Sequence, residues 1–185
     1  LARLAEAMLP LFDTDRDRAI ERAAAALDRF PVLFHQHWSA GMRAKLGLFM
    51  EEPQDRALID DLLAWMQRNS ADFTNTFRAL TMSSGTDNRT DPDFQAWHAR
   101  WGARRQRQPG SRAEAEALMR RHNPAFIPRN HLVEEVLRAA TEEHDLSPME
   151  ELLDVLSTPY DFARELQKFS TPGEHLEPYQ TFCGT

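Results

Sequence analysis

The sequence holds a single cysteine, Cys183, third from the end. One thiol excludes an intramolecular disulfide and a cysteine-built zinc cage. Lysine is nearly absent: Lys45 and Lys168 are the two, and the other twenty of the 22 basic residues are arginine. No apolar run approaches the roughly 18 residues of a membrane-spanning helix. No charged start followed by an apolar block and a small-residue cleavage site is present, so no secretory signal is expected. There is no Gly-rich phosphate loop, no kinase-type His-Arg-Asp or Asp-Phe-Gly, and no spacing of a serine or cysteine triad. On its own residues the chain shows no catalytic constellation and no site for a nucleotide or metal.

What is present is ordinary for a globular protein: 42% hydrophobic residues, 28% charged, and a formal net charge of −7. A chain of 185 residues fits one domain and can bury roughly two thirds of its unfolded surface. The acidic balance argues against a nucleic-acid partner. Leu1, not methionine, opens the chain inside an apparent helix, as expected of a fragment of a longer polypeptide.

Apolar residues recur at helical spacing almost throughout. Leu1, Leu4, Ala5 and Met8 form one stripe; Ile20, Ala23, Ala24 and Leu27 a second; Phe34, Trp38, Met42, Leu46 and Phe49 a third. Leu58, Ile59, Leu62, Leu63 and Met66 mark a fourth, Phe73, Phe77 and Leu80 a fifth, and Phe94, Trp97 and Trp101 a sixth. No two-residue alternation bounded by turn signals appears. The expected fold is all-α: one helical domain of amphipathic helices over residues 1–169, then an irregular tail over 170–185 that carries Cys183.

Helix starts have local causes. Ser111-Arg112-Ala113-Glu114 is a capping box, and Ser147-Pro148-Met149-Glu150 repeats it with proline at the first helical position. Asp91-Pro92 and Thr158-Pro159 read as further cap-plus-proline starts. Asn123-Pro124 has the same form, but Pro128 would interrupt a helix there. The apolar-free stretch 83–90 reads as an exposed loop, and a second loop is expected over Gln106 to Gly110.

Several motifs invite chemistry and have plainer readings. Asp13-Thr14-Asp15-Arg16-Asp17 imitates a calcium loop, but Arg18 stands where glycine is needed and Ala24 where a bidentate glutamate is needed. An acidic helix start is the expected role. His35 and His37, two apart in a helix, point to nearly opposite faces and cannot share a metal; one inward and one outward histidine is expected. The arginines from Arg100 to Arg121 surround Trp101. Single-strand nucleic-acid binding is one reading; a solvated face with acidic partners is the expected one. Lys45 near a helix end, followed by Gly47, fits a dipole-complementing cation and a helix stop.

Several segments together resemble the selenoprotein O (SelO, YdiU) family of kinase-like protein adenylyltransferases. They are Leu1-Ala2-Arg3-Leu4-Ala5-Glu6-Ala7-Met8-Leu9-Pro10-Leu11, Met42-Arg43-Ala44-Lys45-Leu46-Gly47-Leu48, and Asp72-Phe73-Thr74-Asn75-Thr76-Phe77-Arg78-Ala79-Leu80. Asn123-Pro124-Ala125-Phe126-Ile127-Pro128-Arg129-Asn130-His131, Thr158-Pro159-Tyr160 and the Cys183 ending complete the set. The family's nucleotide loop, nucleotide-binding lysine and metal-holding Asp and Asn lie upstream and have no counterpart here. The resemblance therefore implies the carboxy-terminal helical region of such an enzyme. It implies ATP with Mg2+ or Mn2+ for the complete protein and none of them in this chain. It also implies protein acceptors of AMP, a missing amino-terminal kinase-like lobe as partner, no nucleic acid, no membrane, and a bacterial cytoplasmic setting. Cys183 matches in place the family's redox selenocysteine or cysteine.

The alternative is an independent helical interaction module. A severed enzyme half is expected to leave an apolar face uncovered, with Leu1, Leu4 and Met8 as contributors.

Overall fold

The structure, a computed structural model, describes residues 1–82 and 91–173. The expected loop over 83–90 and Cys183 lie outside the described residues. Among the described residues every regular element is helical and no strand occurs, which makes the chain all-α as its periodicity implies. Two compact units divide at residue 43.

The first unit, Leu1–Arg43, is built from α1 (Ala2–Phe12) and most of α2 (Arg16–Lys45). The aspartates between them act as caps. Asp13 accepts from the Asp15 N–H at 3.1 Å, and Asp15 accepts from Asp17 and Arg18 at 3.0 and 3.1 Å. These are the orphan donors of a helix start, so the calcium-like pattern is a helix cap. The second and third apolar stripes, expected as separate segments, lie on one continuous helix despite Pro31. Proline removes one backbone donor there. The stripe stays in phase across it, since Ile20, Ala23, Leu27, Phe34 and Trp38 fall on one face at 100° per residue. Leu46 and Phe49 fall beyond the helix end.

The second unit, Ala44–Thr185, begins with the last turn of α2. Gly47 stops that helix at φ +70, and a Cβ on it would lie 3.1 Å from both the Ala115 carbonyl and the Met119 side chain. Glycine is required there by conformation and by space. The next elements are α3 (Asp55–Arg68) and α4 (Phe73–Met82). Ser70 at φ 50 closes α3: the Ala71 N–H reaches the Met66 carbonyl and the Ser70 N–H that of Gln67. This is a Schellman end with serine in glycine's usual place.

α5 (Pro92–Arg107) starts on Asp91, which accepts from the Asp93 and Phe94 N–H groups. It buries Phe94, Trp97 and Trp101 against α3. The indole donors are satisfied inside the core: Trp97 donates to the Leu58 carbonyl at 2.8 Å, Trp101 to that of Leu46 at 2.9 Å, and Trp65 to Asp91 at 3.1 Å. α6 (Arg112–His122) opens on the reciprocal Ser111–Glu114 capping box.

α7 (Asn130–Arg138) runs into a π-helical turn (Ala139–Glu143) ended by His144 at φ 56. α8 (Ser147–Ser157) follows, and α9 (Gln167–Ser170) is a single turn. Phe126, Leu132, Val136, Leu152, Val155 and Phe169 pack together beneath them. Two starts differ from expectation. α8 does begin at Ser147, but its first donor is held by Asp145 at 2.9 Å rather than by a serine box. Thr158-Pro159 starts no helix; α8 has just ended, and the Pro159 carbonyl instead accepts from the N–H groups of Ala125 and Phe126 at 2.7 and 3.2 Å. Asn123-Pro124 starts no helix either, and Pro128 follows within one turn.

Candidate functional site

Four segments that were separate in the sequence meet in the second unit. Lys45, the last residue of α2, points its ammonium at the carboxyl end of α6. It donates to the His122 carbonyl at 2.8 Å and to Asn123 Oδ1 at 3.3 Å. The faces of Phe73 and Phe77 lie 5.6 and 5.3 Å away. Lys45 does complement a helix dipole, but that of α6 rather than its own. Burial lowers its pKa from the ordinary value, because desolvation disfavours the charged form.

Asn123 is fully buried. Its amide donates to the Lys45 carbonyl and to Thr81 Oγ1, each at 2.8 Å. Thr81 donates its own proton to the Phe77 carbonyl at 2.8 Å. Asn123 therefore uses both amide protons and its oxygen, and ties the end of α2 to α4 and α6.

Arg129 makes the second junction. Its guanidinium grips Asp72 in a fork, at 2.6 and 3.0 Å. Nη2 also donates to Asn75 Oδ1 at 3.2 Å and to the Ser170 carbonyl at 3.0 Å, and Asn75 donates to that carbonyl at 3.0 Å. Asp72 does a second task, capping α4 through the Asn75 N–H at 2.7 Å. Arg129 Nε is buried with no hydrogen-bond partner among the described residues.

The third junction comes from the arginine-rich stretch. Arg104 and Asp55 each expose 2% of their side chains and pair at 2.7 Å. Arg104 also donates to the Met50 carbonyl at 2.7 Å and lies 3.0 Å from Glu52. Arg107 meets Glu52, Arg100 meets Asp61, Arg112 meets Glu116, and Arg105 lies over the Trp101 ring at 4.8 Å. These arginines are engaged by carboxylates and a ring, as the expected reading required. Arg104 does not stand out in the sequence, because nothing local distinguishes a buried guanidinium from its solvated neighbours.

These junctions can hold elements in register, but they offer little for bond-making chemistry. Asp55 and Asp72 each face an arginine, and the Lys45 ammonium is occupied by acceptors. Among the described residues no group of three or more His, Cys, Asp or Glu is placed to hold a metal ion. His35 and His37 are both exposed, which corrects the expectation of one inward and one outward ring. No reaction step is assigned to the described residues. The redox candidate Cys183 lies outside the described residues.

Four of the segments that carry the family resemblance, around Lys45, Asp72, Asn123 and Pro159, meet in this unit, and comparison with known proteins agrees. The family model described as "Protein adenylyltransferase SelO" matches residues 1–157. The chain belongs to this family of protein adenylyltransferases. It is 49% identical to the protein nucleotidyltransferase YdiU of Geobacillus kaustophilus over 188 aligned positions, which cover all of this chain and 39% of that relative. The YdiU proteins of Alkaliphilus metalliredigens and Syntrophotalea carbinolica are each 48% identical over the same span, which is 38% of their length. The chain thus spans less than two fifths of the curated relatives it matches.

Proposed function

We propose that this chain is the carboxy-terminal helical part of a SelO-like protein adenylyltransferase. It supports a kinase-like lobe that holds ATP and its divalent metal. In the complete protein a serine, threonine or tyrosine oxygen of a protein acceptor attacks the α-phosphorus of ATP. The hydroxyl loses its proton, pyrophosphate leaves, and AMP stays on the acceptor. The observation that carries this reading is the full-length match of the chain to less than two fifths of each YdiU relative.

The part played by these helices is buttressing. The Asn123, Arg129 and Arg104 junctions give the second unit a rigid polar frame, on which a lobe can lean without help from a loop. Cys183 serves as a redox thiol on the tail beyond Gly173, with its partner cysteine in the rest of the protein. The setting is the bacterial cytoplasm; among the described residues no helix is long and apolar enough to cross a membrane.

AMP incorporation into a protein acceptor tests the reading. A longer family polypeptide containing these residues transfers AMP; the 185-residue chain alone, with ATP and magnesium, does not. Transfer by the chain alone would refute the division of labour.

A further inference from the structure

The first unit has almost no core of its own. Its buried residues are Ala19, Ala23 and Met42. Against these stand large apolar side chains left open to solvent: Leu4 and Leu11 on α1, and Phe30, Leu33 and Phe34 on α2. Leu11 is 80% exposed and Phe34 50%. They are not scattered. Leu4, Met8 and Leu11 share one face of α1 at helical spacing. Phe30, Leu33 and Phe34 share one face of α2 with the buried Ala19 and Ala23. Phe30 and Phe34 stack on each other at 5.7 Å, which preforms an aromatic ridge at little entropic cost.

A two-helix unit of 43 residues lies near the size, about 40 residues, below which a fold needs a disulfide, a metal or a partner. It has no cysteine. Exposed apolar side chains lined up on one helix face, as on α2, mark an interface.

We propose that the ridge Phe30–Leu33–Phe34 of α2, with Leu4 and Leu11 of α1, is the surface on which the remainder of the longer family polypeptide docks. This rests on the reading that the chain is part of such a protein. The occupant follows from length and tethering. Relatives carry more than three fifths of their residues outside the matched region. A covalently linked segment acts at an effective concentration of the order of millimolar, so it reaches the ridge ahead of a second copy in dilute solution. The ridge is aromatic and uncharged at its centre, as the anchors of buried interfaces are.

Hydroxyl-radical footprinting of the longer protein and of the 185-residue chain, both at sub-micromolar concentration, tests the proposal. Oxidation of Phe30, Leu33 and Phe34 is expected to fall roughly tenfold in the longer protein, because packed anchors exclude water. Equal oxidation in the two proteins would overturn the proposal. So would protection in the longer protein that disappears on dilution to the monomer, since a second copy would then be the cover. As a second arm, Phe34→Glu should lower the melting temperature of the longer protein and leave that of the 185-residue chain unchanged; an unchanged melt in both would count against docking. AMP transfer is not part of the readout. Loss of the functional reading and loss of the docking surface are thereby told apart.

Discussion

Lys45 and Asn123 hold each other from both ends: the lysine ammonium donates to the Asn123 side-chain oxygen, and the Asn123 amide donates to the Lys45 carbonyl. The two residues are 78 positions apart. Asn123→Ala would strand the Lys45 carbonyl and weaken the hold on Thr81 at a fully buried position. A buried group left unpaired costs about 1–3 kcal/mol, so a loss of about 2–4 kcal/mol is expected in urea denaturation of the chain. Asn123→Asp keeps the shape but removes both amide protons, and should not rescue the loss.

The depressed pKa of Lys45 has a pH signature. Between the folded pKa and the ordinary value of 10.5, the unfolded chain binds more protons than the folded one, so stability rises with pH in that window. The burial penalty is fully present below the folded pKa and is relieved as pH climbs through it. Wild-type stability should therefore rise relative to Lys45→Met as pH increases toward 10.5. A stability difference flat across alkaline pH would show that the amine is not desolvated.

The Arg104–Asp55 pair is buried on both sides. Removing one partner of a buried pair costs about 3–5 kcal/mol, whereas replacing both by apolar residues is often nearly neutral; Glu52, 3.0 Å from Arg104, stays as a second carboxylate and puts Asp55→Ala at the low end of that range. Asp55→Leu combined with Arg104→Met should recover most of the loss. A double-mutant cycle by chemical denaturation measures the coupling.

Glycines separate by site. Gly47→Ala meets a left-handed backbone and contacts at 3.1 Å, and a loss of about 1–3 kcal/mol is expected. Gly102 lies inside α5, and a Cβ added there would have no neighbour within 4 Å. There Gly→Ala should stabilise by about 0.5–1 kcal/mol through helix propensity. Melting temperatures of the two variants should move in opposite directions.

The helices were legible because their causes are local. The stripe Phe94–Trp97–Trp101, the Asp91 cap and the Ser111–Glu114 box all act within one or two turns, and each stands where the sequence placed it. The second and third stripes form one helix because the local penalty of Pro31 is outweighed by a stripe that keeps its phase. Thr158-Pro159 misled because a backbone carbonyl's distant partners, here Ala125 and Phe126, leave no trace in neighbouring residues. The junctions were legible only as motifs. The Asp72–Arg129 fork joins positions 57 apart, and no periodicity encodes such a pairing. What the resemblance added was the set of segments; what the structure added is that Asn123, Arg129 and Pro159 bind them to one another.

If the chain is the frame of an enzyme, its nucleotide chemistry lies in the rest of the polypeptide. Calorimetric titration of ATP with magnesium into the 185-residue chain, alongside the longer family protein, tests this most directly. Saturable binding by the longer protein and no heat from the chain is the expected result. Saturable binding by the chain alone, abolished by substitutions within these helices, would contradict it.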